Sequence, residues 1–174
     1  VAVAISAVII FRGIQGGIET ANKIMIPAVF VLLAILLVRV ATLPGAMKGF
    51  EYMYHIDTAD FFKGKVWLSA FTQAAWSSGA GWGMFHVYFV YAGEKEDIQL
   101  NAFTVTFGDM VAAMLAGMVV LPAVFALSPD PYAVMKAGSN GLTFVHLTNL
   151  FAHTTGGFFM AVLFFLALFS AALS

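Results

Sequence analysis

The chain has 174 residues, of which 61% are hydrophobic and 10% are charged. Soluble domains carry about 25% charged and roughly 45–50% apolar residues, so this composition excludes a water-soluble globule and predicts an integral membrane protein in a lipid bilayer. The net charge of −1 excludes nucleic acid as a partner, and the absence of Cys excludes disulfides and thiolate catalysis.

Five apolar stretches, separated by charged residues, are predicted to form helices, because a membrane span needs roughly 20 apolar residues. The predicted spans cover residues 1–11, 24–43, 66–91, 99–127 and 158–174. Together they predict an all-α membrane protein, a polytopic helix bundle. The first and last stretches are apolar up to the ends of the sequence. We therefore expect one partial transmembrane domain, whose missing N- and C-terminal helices belong to a longer chain.

The polar segments between these spans are predicted to be loops and turns. A short hinge at 12–23 precedes the second span, where Pro27 falls in the first turn and its missing N–H costs least. A charged loop follows at 44–65, and a tight charged turn at 94–97. The last connection, at 128–157, is a moderately polar loop that contains several Gly and Pro residues.

The third stretch, 66–91, has no formal charge but carries WSSGAGWG at its centre. Each of its closely spaced glycines is about 1 kcal/mol less favourable in a helix than Ala, which predicts two half-helices joined by an unwound centre. Unwound backbone at membrane depth needs partners for its N–H and C=O groups, and in transporters such breaks bind substrate and cation. The alternative is close helix packing through small residues, against which the bulky Trp76 and Trp82 argue.

The fourth stretch contains one carboxylate, Asp109, about ten residues from its start and roughly 15 Å along a helix. A carboxylate at that depth is costly and usually faces a pathway or a partner. No Lys or Arg shares the stretch, so a bound cation or a proton is the expected compensation. The alternative is a helix register that places Asp109 near the membrane interface.

Four segments in chain order carry a family resemblance. They are RGIQGGIETANKIMIP at 12–27, QAAWSSGAGWG at 73–83, LAGMVVLPAVFAL at 115–127 and FAHTTGGFFMAVLFFLALFSAALS at 151–174. In this order they resemble the neurotransmitter:sodium symporters, the sodium-coupled amino-acid and amine transporters with the leucine-transporter (LeuT) fold. The resemblance is to the bacterial type and runs from late helix four to mid helix eight. It implies a fragment of the LeuT-type fold, with a discontinuous helix at 66–91.

The resemblance implies a substrate pocket around the unwound centre of that helix. Trp76 matches the aromatic residue that covers the pocket, and Gly79 and Trp82 match positions that line it. Ser77 matches a substrate-pocket position whose hydroxyl and carbonyl also bind the first sodium ion. Gly79 stands where other members often carry Ser, and the tryptophan-rich sequence departs from the better-known members.

Asp109 matches the Asn that binds the first sodium ion in the seventh helix of the family. A shift of one residue would place Gly108 there, but a hard cation needs an oxygen ligand, so Asp109 is preferred. In this register Ala113 replaces the Ser that helps to bind chloride in chloride-dependent relatives. Chloride independence is therefore expected, although Gln73 matches another position of the chloride site.

The resemblance also implies a second sodium site and two gating elements. The carbonyl of Ala171 and the hydroxyl of Ser174 match ligands of the second sodium ion. Gly17 and Pro27 match the ends of the element in helix five that unwinds to admit water from the cytoplasm, and Tyr91 matches the tyrosine of the cytoplasmic gate.

These features predict sodium-coupled symport of an amino acid or a related small zwitterion by alternating access. The expected protein is a multi-pass protein of the bacterial inner membrane, with Na⁺ as its coupling ion and no enzyme activity. One alternative is a non-transporting regulatory subunit of the same fold. A less favoured alternative is an intramembrane serine hydrolase using Ser77 or Ser78, for which the sequence offers no second motif.

Overall fold

The architecture of the chain is helical throughout the part that the structure describes. The computed structural model describes residues 2–79, 81–83, 86, 89–93, 96–136, 147–152 and 155–173. Within these ranges there is no strand, which confirms the predicted all-α fold class. The chain divides into two compact units: the first unit combines Val1–Met53 with Leu115–Ser174, and the second unit is Tyr54–Met114.

Ten helical elements follow one another along the described residues, and two of them are long and apolar enough to cross a membrane. In chain order they are α1 (Ala2–Phe11), a π-helix (Ile14–Glu19), α2 (Thr20–Ala41), α3 (Ala46–Tyr54), a 3₁₀-helix (Thr58–Phe62), α4 (Gly64–Ser77), α5 (Ile98–Leu127), α6 (Pro131–Lys136), α7 (Leu147–Ala152) and α8 (Gly157–Leu173). The two membrane-length helices are Gly16–Ala41, which includes α2, and Ile98–Leu127, which is α5. A shorter apolar helix lies within α8.

The polar hinge predicted at 12–23 is shorter in the structure: a turn at Arg12 and Gly13, with φ of +79° at Gly13, separates α1 from the π-helix, and the segment is helical from Ile14 onward. The π-helix leads directly into α2, and the side chains of Glu19 and Lys23 form an ion pair of 2.8 Å across one helical turn. Because α2 begins at Thr20, Pro27 lies inside the helix rather than in its first turn. Its ring removes one backbone hydrogen bond there, and the helix nevertheless continues to Ala41.

The two long connections predicted as loops contain short helices. The connection at 44–65 holds α3 and the 3₁₀-helix, and the connection at 128–157 holds α6 and α7. Aspartates that indicate turns in the sequence cap these helices: Asp57 Oδ1 accepts from Ala59 N at 2.9 Å, and Asp130 Oδ1 accepts from Ala133 N at 3.0 Å. The polar residues of these two connections therefore begin helices, and apolar residues in them, such as Ala46 and Val134, are buried.

The first unit has a continuous apolar core. Helix α8 packs along α2 and against α7, and the C-terminal half of α5 completes the cluster. In a membrane such packing is stabilised by van der Waals contact, since lipid is as apolar as the side chains themselves. The buried residues of this core are Leu33, Leu36, Val40, Val119, Ala123, Val124, Val134, Leu147, Phe151, Met160 and Phe164.

Helix α3 runs antiparallel to the C-terminal half of α5, and at Gly49 no side chain separates the two backbones. A Cβ built on Gly49 would lie 2.8 Å from the backbone N of Pro122, and one on Gly117 would lie 3.0 Å from Met53 Cε. Both separations are too short for an unperturbed contact. Gly49 is therefore required for the close approach of these two helices.

Candidate functional site

Helix α4 ends at the predicted break. Its last residue is Ser77, and the N–H of Ser78 closes the final turn by donating to the carbonyls of Ala74 and Trp76. Backbone φ is then +68° at Gly79, +82° at Gly81 and +75° at Gly83. Side chains with a Cβ rarely adopt this left-handed region, so the three glycines permit the chain to leave the helix here. This confirms that the helix predicted at 66–91 ends at its centre, and the residues predicted to form the second half-helix lie largely outside the described ones.

The indoles of Trp76 and Trp82 meet across this turn. Their ring centroids are 4.6 Å apart and their planes are inclined by 80°, an edge-to-face contact. Residues six apart in a continuous α-helix do not face each other, because helical neighbours are three and four apart. The turn is held by Gly79 N donating to Trp76 O and Trp82 N donating to Gly79 O, both at 3.1 Å. The structure thus brings Trp76, Gly79 and Trp82 together at this turn, three of the four residues predicted for the substrate pocket. The fourth, Ser77, is the last residue of α4.

The residues predicted for the first sodium site both belong to the second unit. Ser77 is the exposed final residue of α4, and Asp109 is exposed on α5. Within the described part of the chain, no hydrogen bond or ion pair joins them, and no basic group pairs with Asp109. The same part contains no cluster of three or more His, Asp or Glu side chains able to hold a metal ion.

Thr106, for which the sequence predicts no role, lies one turn before Asp109 on the same face of α5. Its hydroxyl donates to Ala102 O at 2.8 Å, which leaves the hydroxyl oxygen as an acceptor near Asp109 along the helix. The signal that could have indicated it is the spacing of three residues between two oxygen-bearing side chains. Together they present a hydroxyl and a carboxylate, ligand types that suit a hard cation.

The residues predicted for the second sodium site lie at the end of α8. Ala171 is exposed in the last turn of the helix, and Ser174 lies outside the described residues. The helix that carries Ala171 is anchored earlier in its length, where Met160 and Phe164 are buried in the core of the first unit. The structure therefore shows how α8 is packed, whereas the assignment of Ala171 and Ser174 as sodium ligands stays a prediction.

The residues predicted to gate the cytoplasmic side occupy different environments. Gly17 is buried in the π-helix, where a Cβ would collide with the carbonyl oxygen of Ile9 in α1. Pro27 is exposed inside α2. Tyr91 is 55% exposed in a turn of the second unit. The close contact at Gly17 shows that α1 and the π-helix approach through backbone at this point.

Two basic side chains make polar contacts at helix ends. Arg39, near the end of α2, donates to Thr42 Oγ1 at 3.1 Å and to Thr155 O at 3.2 Å, just before α8 begins. In the second unit, Lys63 Nζ lies 2.6 Å from Asp60 Oδ1. This hydrogen bond and the charge of Asp60 raise the pKa of Lys63 above its ordinary value of 10.5.

Comparison with known proteins gives one consistent result. The model of the Sodium:neurotransmitter symporter family matches residues 1–174. An uncharacterized sodium-dependent transporter of Methanocaldococcus jannaschii is 36% identical over 98% of this chain, which covers 35% of that protein. A second one, from Haemophilus influenzae, is 30% identical over 99% of the chain, covering 36% of the relative.

A eukaryotic relative matches as well. The sodium-dependent dopamine transporter of Caenorhabditis elegans is 31% identical over 90% of this chain, which covers 26% of that protein. The chain thus spans about a third of the length of the prokaryotic relatives and about a quarter of the nematode one.

Proposed function

Because the chain belongs to the sodium:neurotransmitter symporter family, we propose that it forms part of a transporter that moves an amino acid or a related small zwitterion with sodium. The membership confirms the resemblance found in the sequence, and it places the chain among symporters rather than enzymes. The proposed protein is a multi-pass protein of the bacterial inner membrane with the LeuT-type fold. The remaining helices of the full-length protein complete its two sodium sites.

The observation that carries this proposal is the end of α4 at Ser77, followed by three glycines with positive φ. A helix end in the membrane leaves carbonyl groups without partners inside the helix, and these groups can bind a cation. The C-terminal end of a helix also has a partial negative charge that favours cations. Broken helices of this kind hold substrate and coupling ions in transporters that work by alternating access.

The first sodium ion is proposed to bind between Ser77 and Asp109, with Thr106 as a further oxygen near Asp109. A hydroxyl and a carboxylate are hard oxygen ligands, which suit Na⁺ better than the nitrogen and sulfur ligands of transition metals. The fixed negative charge of Asp109 takes the place that chloride occupies in chloride-dependent relatives, so transport should not require chloride. Trp76, Gly79 and Trp82 are proposed to form the neighbouring part of the substrate pocket.

The second sodium ion is proposed to bind at the carbonyl of Ala171 and the hydroxyl of Ser174. Its release to the cytoplasm would follow opening of the segment bounded by Gly17 and Pro27, with Tyr91 closing the cytoplasmic side in the outward-facing state. The π-helix and the backbone contact of Gly17 with Ile9 support this assignment, because π-turns occur frequently at functional sites.

The test is uptake of radiolabelled amino acids by the full-length protein in proteoliposomes with an inward sodium gradient. Replacing sodium by potassium should abolish uptake, whereas replacing chloride by gluconate should leave it unchanged. Asp109→Ala should raise the sodium concentration for half-maximal uptake by about tenfold or more, because a charged ligand is lost. Asp97→Ala is the matched control, since Asp97 caps the start of the same helix.

Two results would contradict the proposal. One is uptake that continues unchanged without sodium. The other is an Asp109→Ala protein with normal uptake and an unchanged sodium requirement.

A further inference from the structure

We infer that the indoles of Trp76 and Trp82 together bind the cationic head group of the substrate, and that this head group is a methylated ammonium rather than a primary amine. This inference rests on the proposed function, because it names the chemical class of the zwitterion that the transporter would carry. It extends the assignment of Trp76 and Trp82 from pocket-lining residues to a site for a particular functional group.

The geometry of the indole pair suits a compact, rounded cation. Two ring planes inclined by 80° with centroids 4.6 Å apart form adjoining walls at nearly a right angle. The indoles are 65% and 52% exposed, so ring surface remains available beside their mutual contact. A trimethylammonium group can touch both walls at once, and aromatic faces attract such cations through the ring quadrupole, with Trp the strongest of the aromatic residues.

The two walls are held in place before any ligand binds. Trp76 lies in the last turn of α4, and the main chain at Trp82 is held by the hydrogen bond from its backbone N–H to the carbonyl of Gly79. Each indole also packs against the other. A binding surface that is already ordered loses less conformational entropy when the ligand arrives, which favours affinity.

The polar groups beside the pair suit a head group that donates no hydrogen bond. A primary ammonium has three N–H groups to satisfy, whereas a trimethylammonium has none. The stretch 66–91 carries no formal charge, and Gly79 contributes no side chain. The Ser78 hydroxyl donates to Ala75 O at 3.3 Å and the Gly79 carbonyl accepts from Trp82 N, so both groups hold the turn together, and neither provides the charged partner that would favour a primary ammonium. Positive charge is still favoured here, because the C-terminal end of α4 has a partial negative charge.

The first experiment compares three ligands on the full-length protein in sodium buffer. They are trimethylglycine, glycine and tert-butylacetate, in which a carbon atom replaces the quaternary nitrogen of trimethylglycine without changing its shape. We expect trimethylglycine to bind about tenfold or more tightly than either of the others, measured by competition or by quenching of tryptophan fluorescence. Because the unmodified protein is used, this comparison does not depend on the folding of a variant.

The second experiment removes the aromatic faces one at a time. Trp82→Leu should weaken trimethylglycine binding by about tenfold and leave tert-butylacetate binding within about twofold, because only the cation responds to the ring quadrupole. Trp82→Phe should lie between the two, and Trp76→Leu should behave as Trp82→Leu does. Trp67→Leu is the matched control, since this exposed indole is on the same helix but is in contact with Phe61 instead.

Three outcomes decide between the inference and the proposed function. Equal binding of trimethylglycine and tert-butylacetate overturns the inference. Sodium-dependent uptake of a primary amino acid without competition from trimethylglycine also overturns it, and leaves the proposed function in place. Absence of sodium-dependent uptake for every zwitterion tested, with binding of trimethylglycine retained, overturns the proposed function alone.

Discussion

The two units of the chain differ in how they bury their apolar residues. In the first unit, α2, α7, α8 and the end of α5 share one core. In the second unit, no residue of α4 is buried, and residues 98–107 of α5 are exposed throughout. The residues proposed to bind substrate and the first sodium ion, Trp76, Ser77 and Asp109, all belong to the second unit.

The first unit is therefore the packed scaffold, and the second unit contains the proposed binding residues. The first unit obtains its packing from its own helices, whereas the second unit presents apolar helix surface that its own residues do not cover. The prokaryotic relatives are roughly three times as long as this chain, and in a protein of that length we expect further helices and the bilayer to cover that surface. Substitutions in the first unit should therefore change stability, and substitutions at the indole pair or at Asp109 should change ligand binding.

The largest expected loss of stability follows from truncating the core of the first unit. Phe151 is 1% exposed and packs edge to face on Phe164 with ring centroids 5.8 Å apart. Phe151→Ala should lower the free energy of unfolding by about 3–5 kcal/mol, because it leaves a cavity between α7 and α8. Unfolding titration of the full-length protein in mixed micelles measures this value.

The matched control for Phe151 is Phe158, which is 84% exposed at the start of α8. Phe158→Ala should change the free energy of unfolding by less than about 0.5 kcal/mol. Equal losses for the two variants would mean that the core of the first unit is not what holds α7 and α8.

A smaller loss of stability is expected where the backbones of α3 and α5 meet. Gly49→Ala should cost about 1–3 kcal/mol, because the added methyl group must displace α3 from Pro122 and Leu121 of α5. In the second unit, a Cβ on Gly64 would meet nothing within 4 Å, so Gly64→Ala should be neutral or slightly stabilising. Thermal melting of the two variants tests this difference between the units. A larger loss of stability for Gly64→Ala than for Gly49→Ala would contradict it.

The smallest expected effect is a pH dependence in the second unit. The pKa of Lys63 is raised by Asp60, so the folded protein holds this proton more tightly than the unfolded chain. The stabilisation by the pair is complete below the ordinary pKa of 10.5 and is lost as the pH rises through the raised value. Because both groups are exposed, salt should screen the effect.

Thermal melting between neutral and strongly alkaline pH tests this dependence, with Lys63→Met compared to Lys65→Met. The difference between Lys63→Met and the unmodified protein should disappear at the alkaline end. A difference that persists there would mean that Lys63 acts through packing rather than through its charge.

The sequence predicts the features that depend on neighbouring residues. Long apolar runs identify α2 and α5, and closely spaced glycines identify the end of α4, because both follow from local backbone preferences. The hinge predicted at 12–23 is confined to Arg12 and Gly13, because polarity does not prevent a helix after them: Glu19 and Lys23 pair across one turn.

Features that depend on distant residues were not predictable in the same way. Helix α3 was missed because its buried face consists of Ala46 and Gly49, whose burial depends on α5 far along the chain. The contact of Trp76 with Trp82 depends on the φ values of the glycines between them. The roles of Asp109, Ala171 and Ser174 stay predictions, since the resemblance implies them and the described contacts do not test them.

The π-helix between α1 and α2 has a mechanical consequence. Its hydrogen bonds span five residues instead of four, so it contains surplus chain relative to an α-helix. Conversion of one such turn to α-geometry would rotate everything after it by about 100° and shift it by about 1.5 Å along the axis. A small change in helical winding near Gly17 would therefore rotate the whole of α2, including the apolar side chains that pack against α8.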